Sequence, residues 1–105
     1  MADFIRLIYS PLNITGEKEM NRSLLQVEYV NALEWQANPN NVNIAKYRIY
    51  LVEQETESML AELNADTFEY LHRGIGRDNQ YTYALVAVND EGREGGRAYI
   101  SVPPF

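Results

Sequence analysis

Apolar and polar residues alternate along most of this chain in short runs, and turn-forming residues cut the runs apart. The breaks fall at Ser10-Pro11, Thr15-Gly16, Asn38-Pro39-Asn40-Asn41, Asn64-Ala65-Asp66, Gly74-Ile75-Gly76, Asn89-Asp90-Glu91-Gly92 and Gly95-Gly96. A period of two puts successive side chains on opposite faces, so each run reads as a strand with one buried face. Lys46 to Glu53 is the clearest. Tyr47, Ile49 and Leu51 share one face, and Lys46, Arg48, Tyr50 and Val52 share the other. In Tyr81 to Asn89, Tyr81, Tyr83, Leu85 and Ala87 point one way, but Ala84, Val86 and Val88 make the second face apolar as well. That pattern predicts a central, covered strand. Tyr29 to Gln36 turns Leu33 and Trp35 inward, and Thr67 to His72 turns Phe68 and Tyr70 inward. Arg97 to Val102 ends at Pro103-Pro104, which cannot continue a ladder. Weaker strands are expected at Leu7 to Thr15 and Met59 to Leu63. Ser23-Leu24-Leu25-Gln26 has capping-box spacing, but no 3.6 period follows it, so a short turn or bulge is expected there.

About seven short strands between turn signals predict an all-β antiparallel sandwich or barrel. At 105 residues the chain is expected to be a single domain, residues 1–105, large enough to fold without covalent staples. It has no cysteine, which excludes disulfides, thiolate nucleophiles and cysteine metal sites. The net charge of −6 carries no basic footprint for nucleic acid, and the nine basic residues are too scattered for a lipid-binding patch. No stretch is long and apolar enough for membrane insertion. The apolar run Phe4 to Tyr9 lacks the charged start and small-residue cleavage site of a secretion signal. It is expected to pair as an edge strand, either within the sandwich or in a dimer with a second copy.

Several residues together resemble the fibronectin type III domain. Leu33-Glu34-Trp35 matches the Leu-x-Trp that ends the family's second strand, and the Asn38-Pro39-Asn40-Asn41 loop follows it. Tyr47-Arg48-Ile49-Tyr50 matches the third strand. Ile75 stands six positions before Tyr81, which opens the run Tyr81-Thr82-Tyr83-Ala84-Leu85-Val86-Ala87-Val88-Asn89-Asp90-Glu91-Gly92. This last agreement is the most specific. The resemblance covers about residues 9–102 and looks like bacterial versions of the module. Arg77 stands where the family usually has proline, and the interval from Pro11 to Trp35 is long, which suggests an extended first turn over Glu17 to Gln26.

The resemblance implies an immunoglobulin-like antiparallel β-sandwich of about seven strands in fibronectin type III topology. Tyr81 would then be the tyrosine corner, with Ile75 before it, and Trp35 would pack over Tyr47 and Leu85 between the sheets. Gly92 and Gly95-Gly96 suit a loop needing positive φ.

Candidate chemistry is sparse. His72 is the only histidine and reads as a strand or rim residue. Glu53, Glu55 and Glu57 read as a charged hairpin edge that blocks edge-to-edge pairing. No nucleophile, metal-ligand set or cofactor motif is visible, so no catalytic, metal or cofactor residue is assigned and the chain is expected not to be an enzyme. The resemblance implies a spacer or a protein- or glycan-binding module of a larger protein, at the cell surface or outside the cell, beside neighbouring domains. The alternative is an accessory domain of a secreted multidomain hydrolase. Loops on a rigid frame carry binding more often than strands do. The expected binding residues are therefore Asn38, Asn40, Asn41 and Asn43 in one loop, and Asp90, Glu91, Arg93 and Glu94 in another that the family topology puts at the same pole.

Overall fold

The computed structural model describes residues 7–105. Among these, seven strands form two antiparallel sheets: β1 (Leu12–Arg22), β2 (Val27–Gln36), β3 (Ile44–Glu53), β4 (Thr56–Asn64), β5 (Glu69–Ile75), β6 (Tyr81–Asn89) and β7 (Glu94–Val102). One sheet has the order β1-β2-β5 and the other β4-β3-β6-β7. The sheets pack face to face as a sandwich, as the resemblance implies and the alternation allows. No described helix is long and apolar enough to cross a membrane.

The core lies between the sheets. Leu33 and Trp35 from β2 meet Tyr47 and Ile49 from β3, Tyr83, Leu85 and Ala87 from β6, and Val102 from β7. The Trp35 and Tyr47 rings meet edge-on with centroids 5.7 Å apart. The second face of β6 is also buried, with Ala84, Val86 and Val88 shielded from solvent. Among the described residues no third layer covers that face. Long side chains lie across it instead: Arg48 pairs with Glu62 and Glu94, and Arg97 pairs with Glu57 and Glu94. The Arg97 guanidinium sits 5.1 Å from the centre of the Tyr50 ring. The apolar stems of these arginines cover the valines while their heads stay wet.

The structure departs from the sequence reading at several places. β1 begins at Leu12, not Leu7, and runs on to Arg22, so Glu17 to Gln26 is the end of a long hairpin rather than an extended turn. Its inward positions are Ile14, Gly16, Lys18 and Met20, and a glycine and a lysine erase the apolar alternation. Gly16 is needed there, because a Cβ would stand 2.7 Å from Val102 and 3.0 Å from Leu33. Of the Phe4 to Tyr9 run, residues 4–6 lie outside the described residues. Ile8 is in no strand but accepts one backbone hydrogen bond from the Gly96 amide at 3.1 Å. Gly92 has positive φ (82°), but Gly95 and Gly96 do not. Gly95 is small for a different reason: a Cβ there would lie 2.4 Å from the Ile8 side chain. Phe68 precedes β5 and is 39% exposed, so it sits at the rim, although its ring still reaches Tyr47 at 5.9 Å.

Candidate functional site

The β2–β3 and β6–β7 connections meet at one pole. The Asp90 amide donates to the Asn43 carbonyl at 3.0 Å, which ties the two loops together. Each loop is also fixed internally. The Asn38 side-chain oxygen accepts from the Asn40 amide at 3.0 Å, and the Asn38 carbonyl accepts from the Asn41 amide at the same distance. Asn43 takes positive φ (57°), a conformation asparagine tolerates better than most residues. In the second loop Asn89 is the organiser. Its Oδ1 accepts from the amides of Glu91 at 3.0 Å and Arg93 at 2.8 Å, and its own amide donates to the Arg93 carbonyl at 3.0 Å. Gly92, at positive φ, closes that turn.

The proposed binding residues divide on inspection. Asn38 donates from Nδ2 to the Ser10 carbonyl at 3.1 Å, and Asn41 exchanges bonds with both backbone groups of Tyr9, at 2.6 and 2.9 Å. These two amides hold the incoming chain, so they are not free for a ligand. Glu94 is not in the loop at all. It opens β7 on the outer sheet face, where it accepts from Arg48, Arg97 and the Tyr50 hydroxyl. The Tyr50 hydroxyl, then the two arginines, hold its carboxyl below the usual range. The same bond holds the Tyr50 phenol above its ordinary value. Asn40, Asn43, Asp90, Glu91 and Arg93 remain at the pole. Arg93 is exposed, and its guanidinium makes no ion pair with a described residue.

Between the loops lies a concavity of about 370 Å3, lined by Asn43, Asn89, Asp90, Glu91 and Arg93 and by Leu7, Ile8 and Val42. The apolar lining residues Leu7, Ile8 and Val42, and Asn89, were missed by sequence reasoning. Asn89 was visible in the family motif, but nothing in the sequence said that Ile8 would dock against Gly95-Gly96. The described residues hold no cluster of three or more metal-ligating side chains. Among carboxyl groups with a resolved shift, Glu28, Glu62 and Glu94 are all lowered by hydrogen bonds, the first two chiefly by arginine and the third chiefly by Tyr50. A general acid would need the opposite shift.

At the other pole the β5–β6 connection is locked onto β1. Lys18 is 8% exposed, and its ammonium donates to the carbonyls of Gly76, Arg77 and Asn79 at 2.8, 3.3 and 2.5 Å. The Gly76 amide donates to the Tyr81 hydroxyl at 2.9 Å, and Lys18 lies 5.2 Å from the Tyr81 ring centre. His72 sits in β5 with its Nδ1 2.6 Å from the Tyr83 hydroxyl.

Two sheets of three and four strands, with a tyrosine at the start of the sixth strand whose hydroxyl returns to the backbone, define an immunoglobulin-like sandwich. Solved structures narrow this further. The chain is similar to a mutant of FN3tt, with 25% identity over 88% of this chain and 90% of that one and a TM-score of 0.64. It is also similar to a Fn3-like protein from Clostridium thermocellum, at 17% identity over 95% and 96% of the two chains and a TM-score of 0.69. A third similar structure is the glycoside hydrolase domain of Endo-D from Streptococcus pneumoniae. There the identity is 13% and the TM-score 0.67, and the match spans 93% of this chain but 15% of that one. No protein-family model matches the sequence, and no curated protein sequence matches it. The fold is that of a fibronectin type III domain.

Proposed function

We propose that this chain is a non-catalytic fibronectin type III module, of bacterial type, in a larger protein at the cell surface or outside the cell. It binds a protein or glycan at the β2–β3 and β6–β7 pole, and it spaces the domains beside it. The observation that carries the reading is the pole itself. Two loops pinned to each other and to the frame enclose a concavity, and on its rim the Arg93 guanidinium makes no ion pair with a described residue. Such a preorganised surface loses little entropy on binding. Arginine is enriched among residues that dominate interfaces, because its planar fork can grip a carboxylate from two sides.

The test compares capture of the native ligand by wild type, Arg93→Ala and Asn40→Ala. Asn41 is left intact because its amide holds Tyr9. Arg93→Ala is expected to weaken capture at least about tenfold, the loss of one charge-assisted contact. Undiminished capture by both variants would move the binding surface elsewhere.

A second reading has its own support. A sandwich of this shape forms 15% of the chain containing the Endo-D glycoside hydrolase domain. On that reading this chain is an accessory domain beside a hydrolase domain, and the pole meets that neighbour rather than a free ligand. Joining it to its native neighbour would then protect the Asp90 and Glu91 amides from hydrogen exchange.

A further inference from the structure

We propose that the outer face of the β1-β2-β5 sheet docks an extended basic segment of a partner protein. This surface stands apart from the two pole loops, and the inference does not rest on the reading of them given above.

The two outer faces of the sandwich carry charge differently. On the four-stranded sheet three cations and three carboxylates are interleaved and paired: Lys46 and Arg48 with Glu62, Arg48 and Arg97 with Glu94, and Arg97 with Glu57. That face is neutral. On the three-stranded sheet the outward positions hold Glu17 and Glu19 of β1, Glu28 and Glu34 of β2, and Glu69 of β5, against the single cation Arg73. The face therefore carries −4, against −6 for the whole chain. Arg73 pairs with Glu28 at 2.7 Å, and the other four carboxylates make no ion pair with a described residue.

The strand register places these four. Glu34 stands directly opposite Glu69. In the next row Glu17 is opposite Ala32, and Ala32 is opposite Leu71. In the row after that Glu19 is opposite Val30. The carboxylates thus trace an L, across the first row and down β1, with Val30, Ala32 and Leu71 inside it. Leu71 is 51% exposed. Like charges directly opposite each other destabilise a sheet, and an arriving cation would relieve the Glu34–Glu69 pair.

Spacing and charge select the occupant. The described residues hold no group of three or more acidic or other ligating side chains that could close on a metal ion, so these carboxylates are too spread for one. Outward side chains on one strand recur every second residue, about 6.6 Å apart. An extended peptide with Lys or Arg at alternate positions repeats at the same interval, and one apolar residue in that series meets Leu71. Nucleic acid, anionic lipid and a second copy of this net −6 chain are all repelled.

The first row of the L adds two contacts. Glu34 and Glu69 line a concavity together with Asp66, Phe68 and Trp35. Phe68 is partly exposed and is the kind of ring that cations bind. Trp35 is nearly fully buried, and its indole N–H has no acceptor among the described residues. A peptide backbone carries the carbonyl that this donor lacks.

The probe is the acetylated and amidated peptide Lys-Ser-Lys-Ser-Leu-Ser-Lys-Ser-Lys, beside a version with Gln for every Lys. Isotope-labelled protein is titrated with each at low salt, and binding is read from its amide and indole NMR signals. Only the lysine peptide is expected to bind, shifting β1, β2 and β5 amides and the Trp35 indole. Glu34→Gln combined with Glu69→Gln should weaken it roughly fivefold, the loss of two exposed ion pairs. Added salt should weaken wild-type binding as well. The double variant loses a like-charge pair, so its urea midpoint should match or exceed wild type. Glu53→Gln combined with Glu55→Gln removes the same charge from the β3–β4 turn and should leave affinity nearly unchanged. An equal loss in that control would mean attraction to net charge alone and would overturn the proposal. So would no binding at millimolar lysine peptide, or shifts centred on Asp90 to Arg93. Calcium alone moving the same signals and displacing the peptide would assign the carboxylates to a metal and equally overturn it. If the peptide fails while Arg93→Ala still weakens ligand capture, only this inference falls.

Discussion

The two ends of the core are built from different materials. Toward the loop pole it is dry and aromatic: Trp35 meets Tyr47 edge-on, and Phe68 tilts against Tyr47 from the rim, beside Leu85 and Ala87. Toward the other pole it is polar. Asn31 and Tyr83 are completely buried, Lys18 is nearly so, and His72 and Tyr81 pack against the Tyr83 ring. The dry end is held by volume, and its stability depends on filling space. The polar end is held by pairing, and its stability depends on every donor finding an acceptor. Neither is pure. Among the described residues the Trp35 indole nitrogen is buried without a partner in the dry end, and Asn31 Oδ1 is buried without one in the polar end.

The largest expected effect lies in the dry end. Trp35 is 3% exposed, and Trp35→Ala should cost about 3–5 kcal/mol by leaving a cavity between the sheets. Urea unfolding measures this, and a loss under about 1 kcal/mol would mean the sheets collapse onto the gap. Lys18→Met comes next. It keeps an apolar stem and removes the ammonium that gathers three carbonyls. The expected loss is about 1.5–3 kcal/mol, the range for hydrogen bonds to a charged group. Faster hydrogen exchange at Gly76 and Asn79 should accompany it, and a loss without loosening there would place the effect in β1 instead. Tyr81→Phe keeps the ring and removes the acceptor for the Gly76 amide. Gly76 is only partly buried, so water can substitute, and about 0.5–1.5 kcal/mol is expected from the same urea measurement.

These regions differed in how well the sequence announced them. β3 and β6 were legible because their inward residues are large and apolar at strict alternation, and β6 was found at its observed boundaries. The later part of β1 was not, because Gly16 and Lys18 occupy inward positions that periodicity expects to be apolar. Each is explained only by a partner distant in sequence, Val102 for Gly16 and the 76–79 carbonyls for Lys18. The candidate site shows the same division. The turn-forming Asn and Gly residues marked the two loops, but whether an asparagine faces outward or ties down a neighbouring segment depends on where residues 8–10 run. Nothing in the residue type distinguishes Asn40 from Asn41. Glu94 misled for a related reason: it follows Gly92-Arg93 in a polar stretch, yet Tyr50 and two arginines from the sheet draw it into β7.

The smallest effect is a pH dependence confined to the polar end. Asn31 Nδ2 donates to the Tyr83 hydroxyl oxygen at 2.7 Å, so the hydroxyl hydrogen is free to point at His72 Nδ1, 2.6 Å away. His72 is then neutral and accepts at Nδ1. Burial pushes its pKa below the ordinary 6.5, and burial pushes the Tyr83 phenol up to about 12. The unfolded chain therefore takes up the histidine proton first as pH falls. The contribution of His72 to stability is complete above about pH 6.5 and is lost as pH drops from there through the lower native value. The slope in that window cannot exceed one proton, about 1.4 kcal/mol per pH unit. Glu28, Glu62 and Glu94 have lowered values, so their contributions hold above the ordinary 4.5 and are lost only at more acid pH. The histidine window opens near pH 6.5, above the ordinary 4.5 at which the carboxylate window opens, so a comparison between pH 7.5 and 5.5 reads the histidine. His72→Gln retains an acceptor for the Tyr83 hydroxyl but cannot titrate. Urea midpoints at pH 7.5 and 5.5 should differ for wild type and coincide for His72→Gln. If wild type shows no difference, imidazolium is accommodated by reversing the relay: Nδ1–H donates to Tyr83, whose hydroxyl turns to an Asn31 amide flipped to present Oδ1. That flip would give the orphaned oxygen its partner and leave the amide nitrogen without one, so the polar end would exchange one unpaired atom for another at little net cost.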